Sequence, residues 1–314
     1  MRSTALVLAA VVLTIVIAQI LMLVVAVVIS PGFQSYLAGG SSAASLNQLV
    51  SSATQKYLAL TQILAIVVAL PWLLLLRGKK LFTHDIAGVN QKVRPLTLFK
   101  VLVLMFGVAC ATNIITVSLA PLLERIGFTL SGAYEDGFSA LLADPWGIAY
   151  AMLLGPIMEE IIFRGAILNR LARHGSNFAI VMSALMFGAY HMILIQGFNA
   201  FFLGVLLAYV ALRYSIKWSM LLHVLYNSVL VGLSLLDVIG VNITAFMGLL
   251  LLACMIASIV LLSVKHRVVS AIRWMGFPQT LRPFRKAFTS PAFLVVLAAL
   301  LAVGVLTSVT PGSL

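Results

Sequence analysis

The sequence predicts an all-α protein: a polytopic transmembrane bundle of about nine helices with its N-terminus in the cytoplasm. Three observations predict it. Of 314 residues, 62% are hydrophobic and only 9% are charged, with a mean hydropathy of +1.14. The apolar residues fall in runs of about 20, the length a helix needs to cross roughly 30 Å of hydrocarbon. The basic residues collect in alternate segments between those runs, the bias that sets orientation in a bilayer.

The apolar runs lie at about 4–29, 57–76, 98–120, 145–173, 178–195, 199–213, 217–236, 242–264 and 292–309. The first follows only Met1 and Arg2, but at about 26 residues it exceeds the 7–15 residues of a signal-peptide core and is expected to remain as a helix. The Gly/Ser-rich segment after it reads as an exposed connector. With the N-terminus inside, the cytoplasmic segments hold 18 Lys and Arg residues and the outer segments only Lys56 and Arg125, which tests the helix count. Glu124, Glu135, Asp136, Asp144 and Asp237 all fall outside. The formal charge of +12 therefore serves membrane orientation, and no nucleic-acid partner is implied. Cys110 and Cys254 sit far apart inside apolar runs, so neither a disulfide framework nor a thiolate metal site is expected. His84, Asp85 and His266 lie in basic loops and read as solvated. The 265–291 segment interleaves cations with Trp274, Phe277, Phe284 and Phe288, which suits the anionic cytoplasmic membrane surface. Three regions follow: N-terminal helices over 1–144, a central core over 145–236, and C-terminal helices with a basic loop over 237–314.

The core carries polar groups where hydrocarbon is expected. GPIMEEIIFRG, residues 155–165, places Glu159, Glu160 and Arg164 on the fourth run. An acid at the bilayer centre costs roughly 2.5–3.5 kcal/mol on insertion scales, so each needs a partner or a task. Arg164 lies one turn after Glu160 on the same helix face. Glu159 points about 100° away and is free to face something else. FGAYH, residues 187–191, places His191 on the fifth run with Phe187 one turn before it. HVLYN, residues 223–227, places His223 and Asn227 one turn apart on the seventh. Glu159 and His191 are each 16 residues from Gly175, so a hairpin turning there brings them level. His223 and Asn227 lie six and ten residues past Lys217, within the same leaflet.

This set suits hydrolysis by activated water. A carboxylate in a partly apolar cavity is suited to act as general base, and an amide and an imidazole can stabilise a developing oxyanion. No HExxH, no Gly-x-Ser-x-Gly nucleophile and no facing Asp pair is evident.

In order, EEIIFR, FGAYH and HVLYN fill the pattern EExxxR, FxxxH, HxxxN. The chain thereby resembles the CPBP intramembrane glutamic endopeptidases, a family that includes CAAX prenyl proteases and bacteriocin-processing or self-immunity proteins. The resemblance covers roughly 145–235. It implies a peptidase acting on a peptide or membrane-anchored protein, with Glu159 activating water, His191 assisting, His223 and Asn227 stabilising the oxyanion, and Glu160, Arg164 and Phe187 shaping the site. No cofactor is implied. Pro156 frees the Met152 carbonyl in an α-helix and permits a kink. Two other readings use the same residues: a zinc site of Glu159, His191 and His223, and a non-enzymatic scaffold, immunity protein or proton-coupled transporter. A bacterial plasma membrane is the expected setting.

The topology predicts that single cysteines at Ser176 or Thr280 react with an impermeant thiol reagent from the cytoplasm, and at Ser42 or Gly132 from outside. Outside labelling at position 176 would overturn the helix count.

Overall fold

In the computed structural model, residues 78–311 are described with breaks at 131–132, 239 and 276–280, together with scattered positions between 14 and 74. The expected first helix and its connector lie almost wholly outside the described residues, and the second helix in part. The rest is a helical bundle: α1 (Pro95–Glu124), α2 (Ala133–Leu142), a broken helix α3 over residues 145–172, α4 (Ser176–Tyr190), α5 (Leu194–Arg213), α6 (Ile216–Val238), α7 (Thr244–Ser263), α8 (Lys265–Met275), α9 (Arg282–Phe288) and α10 (Pro291–Ser308). Among the described residues, α1, α5, α6 and α7 are long and apolar enough to span a membrane, and α9 with α10, bent by 67°, would make a fifth. The chain is a multi-pass membrane protein.

Two buried cores organise the bundle. The larger joins α3, α4, α5 and α10 through Phe163, Leu168, Phe178, Phe187, Ala208 and Phe293. The second joins α1, α5 and α6 through Met105, Phe106, Leu207, Val210, Leu222 and Tyr226. On α7, by contrast, Leu249, Ile259 and Val260 are exposed, as a lipid-facing helix requires.

The hairpin of α3 and α4 carries the motifs. Asp144 caps α3 by accepting from the Trp146 N–H at 3.1 Å, with Pro145 at the first helical position. Gly175 takes φ +116° at the turn, a conformation open to glycine, and α4 begins at once. Phe163 and Phe187, each 12 residues from Gly175, meet edge to face at 5.1 Å between centroids. This rung supports counting outward from the turn to Glu159 and His191. The chain leaves α4 through Met192 at φ 51°, and the Leu194 N–H opening α5 donates to Ser308 Oγ at 2.7 Å.

The loops sort to two ends. At one, the Asn90 N–H donates to Tyr214 O at 2.7 Å and Ser215 Oγ to Gly88 O at 2.8 Å. At this end Arg213 lies over Trp274 of α8, and Phe284 of α9 packs on Phe178 beside the hairpin turn. His174 in that turn is held below its ordinary imidazole range, first by burial and then by Arg173 and Lys286. At the other end, Phe128–Leu130 (β1) after α1 pairs antiparallel with Val309–Pro311 (β2) after α10. The basic loops thus share one end, as the charge pattern requires. Within that end Asp85 is a correction: it is buried and bonded to His84 at 3.2 Å, because the Leu81–Ile86 π-turn packs against α3 and α6, while His84 is exposed. The basic 265–291 segment is likewise partly folded, as α8 and α9.

Gly188 and Gly197 permit the closest approach of α4 and α5: a Cβ on either would lie 2.6 Å from the carbonyl oxygen of the other. Gly188→Ala is therefore expected to destabilise the fold by roughly 1–3 kcal/mol. Gly232→Ala, with nothing within 4 Å, should not. Thermal unfolding of the two variants in one detergent compares them.

Candidate active site

The site begins with the irregular helix α3. It runs as α-helix to Ala149, π-helix over Tyr150–Leu154, α-helix over Gly155–Glu160, π-helix over Ile161–Leu168 and α-helix again to Ala172. Such π stretches are uncommon and concentrate at functional sites. The first has a local cause. The Gly155 N–H bonds the Tyr150 carbonyl five residues back. The next donor in that register would be Pro156, which has no N–H. That register leaves the Ala151 carbonyl without a backbone N–H, and Asn227 Nδ2 of α6 donates to it at 3.0 Å. In the second stretch, Ser183 Oγ donates to Phe163 O at 3.1 Å and Asn169 Nδ2 to Gly165 O at 3.2 Å. Side chains thus supply donors to backbone that hydrocarbon cannot solvate.

Glu160 is fully enclosed, with no exposed surface. Its Oε2 faces Arg164 Nε at 3.4 Å and accepts a short hydrogen bond from Ser219 Oγ; its Oε1 faces His223 Nδ1 at 3.1 Å. The expected pair with Arg164 is present, and the same carboxylate also reaches α6. Arg164 is equally buried. It donates from Nη2 to Gly204 O at 3.4 Å, and its guanidinium lies over the Phe187 ring at 4.5 Å. Phe187 in turn stands edge-on to His191 at 4.9 Å and to His223 at 5.9 Å, a wall between the cation and both imidazoles.

Glu159 differs from its neighbour. Its side chain keeps 18% exposure, and its Oε2 lies 3.7 Å from His223 Nε2. Tyr150 and Tyr190 lie within electrostatic reach of it. His191 closes the end of α4, its Nδ1 2.9 Å from Phe187 O and its ring beside Tyr190. The structure therefore brings Glu159, Glu160, Arg164, Phe187 and His223 into one cluster, with His191 bordering it through Phe187 and Asn227 anchored one turn along α6. Among the described residues no three His, Cys, Asp or Glu side chains converge as metal ligands.

Ser219 is the residue that sequence reasoning passed over. The signal was present: Ser219, His223 and Asn227 recur at four-residue spacing, one stripe of α6, and all three bond α3.

Residues 141–229 match the family model of the type II CAAX prenyl endopeptidases, Rce1-like. The match includes all three motifs, and the resemblance read from them holds over these residues. No curated protein and no solved structure matches the chain.

The two acids should respond differently to the same change. Glu160→Gln removes the ion-pair partner of the buried Arg164 and should lower stability by roughly 3 kcal/mol. Glu159→Gln, at the open edge of the cluster, should melt close to the wild type. Thermal unfolding of the purified proteins in detergent measures both.

Proposed function

From the similarity of residues 141–229 to type II CAAX prenyl endopeptidases, we propose that this chain is an intramembrane endopeptidase in which Glu159 activates the attacking water. The division of labour between the two acids carries the reading. Glu160 is consumed by Arg164, Ser219 and His223, whereas Glu159 retains an open side with a histidine nitrogen 3.7 Å away. A general base needs that access to water and to the reacting carbonyl.

The steps balance as follows. Glu159 takes a proton from water as its oxygen bonds the carbonyl carbon of the scissile amide, and the carbonyl oxygen becomes the oxyanion. Asn227 has two amide N–H groups; Ala151 O takes one and leaves the other for the oxyanion. His223 stabilises the oxyanion with an N–H at Nε2, while Glu160 on Nδ1 supplies the negative charge behind the ring. The intermediate then collapses, the C–N bond breaks, and the proton held by Glu159 passes to the leaving nitrogen. His191 assists: with Nδ1–H given to the Phe187 carbonyl, Nε2 is left as an acceptor for the water. These steps use the chain's own residues and require no metal.

The substrate class is a peptide or membrane-anchored protein. Membranes carrying wild type or Glu159→Gln, compared by proteomics for new C-termini, test the proposal. Termini that depend on Glu159 are expected; an undiminished set in the variant would refute Glu159 as the base.

A further inference from the structure

We propose that Ser219 is a positioning residue that fixes the proton arrangement of His223 through Glu160. The proposal deepens the proposed reaction and rests on His223 belonging to its centre.

Ser219 is fully buried and has one hydroxyl proton but two acceptors in range: Glu160 Oε2, in a short hydrogen bond, and Leu207 O at 3.0 Å. The proton can serve only one of them. If it went to Leu207, Glu160 would have to carry a proton on Oε2 to complete the bond. Arg164 Nε lies 3.4 Å from that same oxygen and favours it as an anion. The hydroxyl therefore donates to Glu160. The carboxylate is then held at both oxygens from one face of α6, by Ser219 on Oε2 and by His223 Nδ1 on Oε1, residues one helical turn apart. A carboxylate locked in this way can only accept at Oε1, so His223 must keep its proton on Nδ1 whether the ring is neutral or charged. Exchange of the second proton is confined to Nε2, the nitrogen that faces Glu159.

Without the hydroxyl, Glu160 is held only by Arg164 and the ring itself. The carboxylate can then turn about its terminal torsion, and the other neutral tautomer of His223, with the proton on Nε2, becomes accessible. Ser219 thus acts on a ring nitrogen it does not touch.

Nitrogen-15 NMR of protein labelled at histidine, purified in detergent, reads the arrangement, with the His223 signals assigned by their loss in His223→Gln. In the wild type, His223 should have Nδ1 protonated throughout; an Nε2-protonated neutral ring would overturn the proposal. In Ser219→Ala the His223 signals should move toward a mixture of tautomers while those of His191 stay in place; an unchanged His223 would also overturn it. If Ser219→Ala does not fold, Ser219→Cys is read in the same way, its weaker donor giving a smaller displacement and an unchanged spectrum counting against the proposal. None of these readouts depends on catalysis, so their failure is distinct from persistence of cleavage in Glu159→Gln.

Discussion

The buried carboxylate of Glu160 is the constraint around which the centre of this bundle is organised. Hydrocarbon cannot solvate an anion, so every lone pair must find a donor from the protein. Arg164 supplies the counter-charge from the same helix, while Ser219 and His223 reach the two oxygens from α6. The requirement propagates outward. Arg164 must itself be neutralised and covered, and it lies against the Phe187 ring and the Gly204 carbonyl, which commits α4 and α5 to close packing beside α3. Four helices are tied together because one acid cannot remain unpaired.

A second consequence of the same solvent shapes α3. Pro156 removes a donor in a helix that cannot borrow water, and the register slips into a π stretch whose leftover carbonyl is taken by Asn227. This bond orients an amide of the proposed oxyanion site, so a backbone defect and a functional side chain are joined. The stripe Ser219, His223 and Asn227 meets α3 at three successive points, making α6 the helix that sets the register of the centre. Glu159 remains at the edge of this lattice with part of its side chain exposed. Rigid surroundings and one accessible acid are the arrangement that water activation needs.

Several helices were legible in the sequence because a bilayer imposes a length and a composition that are written locally along the chain. The apolar runs at 98–120, 217–236, 242–264 and 292–309 correspond to α1, α6, α7 and α10 within a few residues. Counting outward from Gly175 set Glu159 level with His191, and Phe163 and Phe187, at equal counts from the same glycine, meet across the hairpin. The polar residues inside hydrocarbon were legible for the same reason: each departs from what the solvent tolerates.

Partnership was decided only by tertiary structure. An i, i+4 rule could pair Glu160 with Arg164, but the orientation of α6, which brings Ser219 and His223 to the remaining lone pairs, depends on how three helices pack. The buried Asp85 depends likewise on a loop docking against α3 and α6. The Ala151–Asn227 bond requires both a π register and a neighbouring helix at the right rotation. Spacing along one helix determines which residues share a face and a depth; which face meets which neighbour is set by side-chain packing between segments distant in the chain, and no local pattern encodes it.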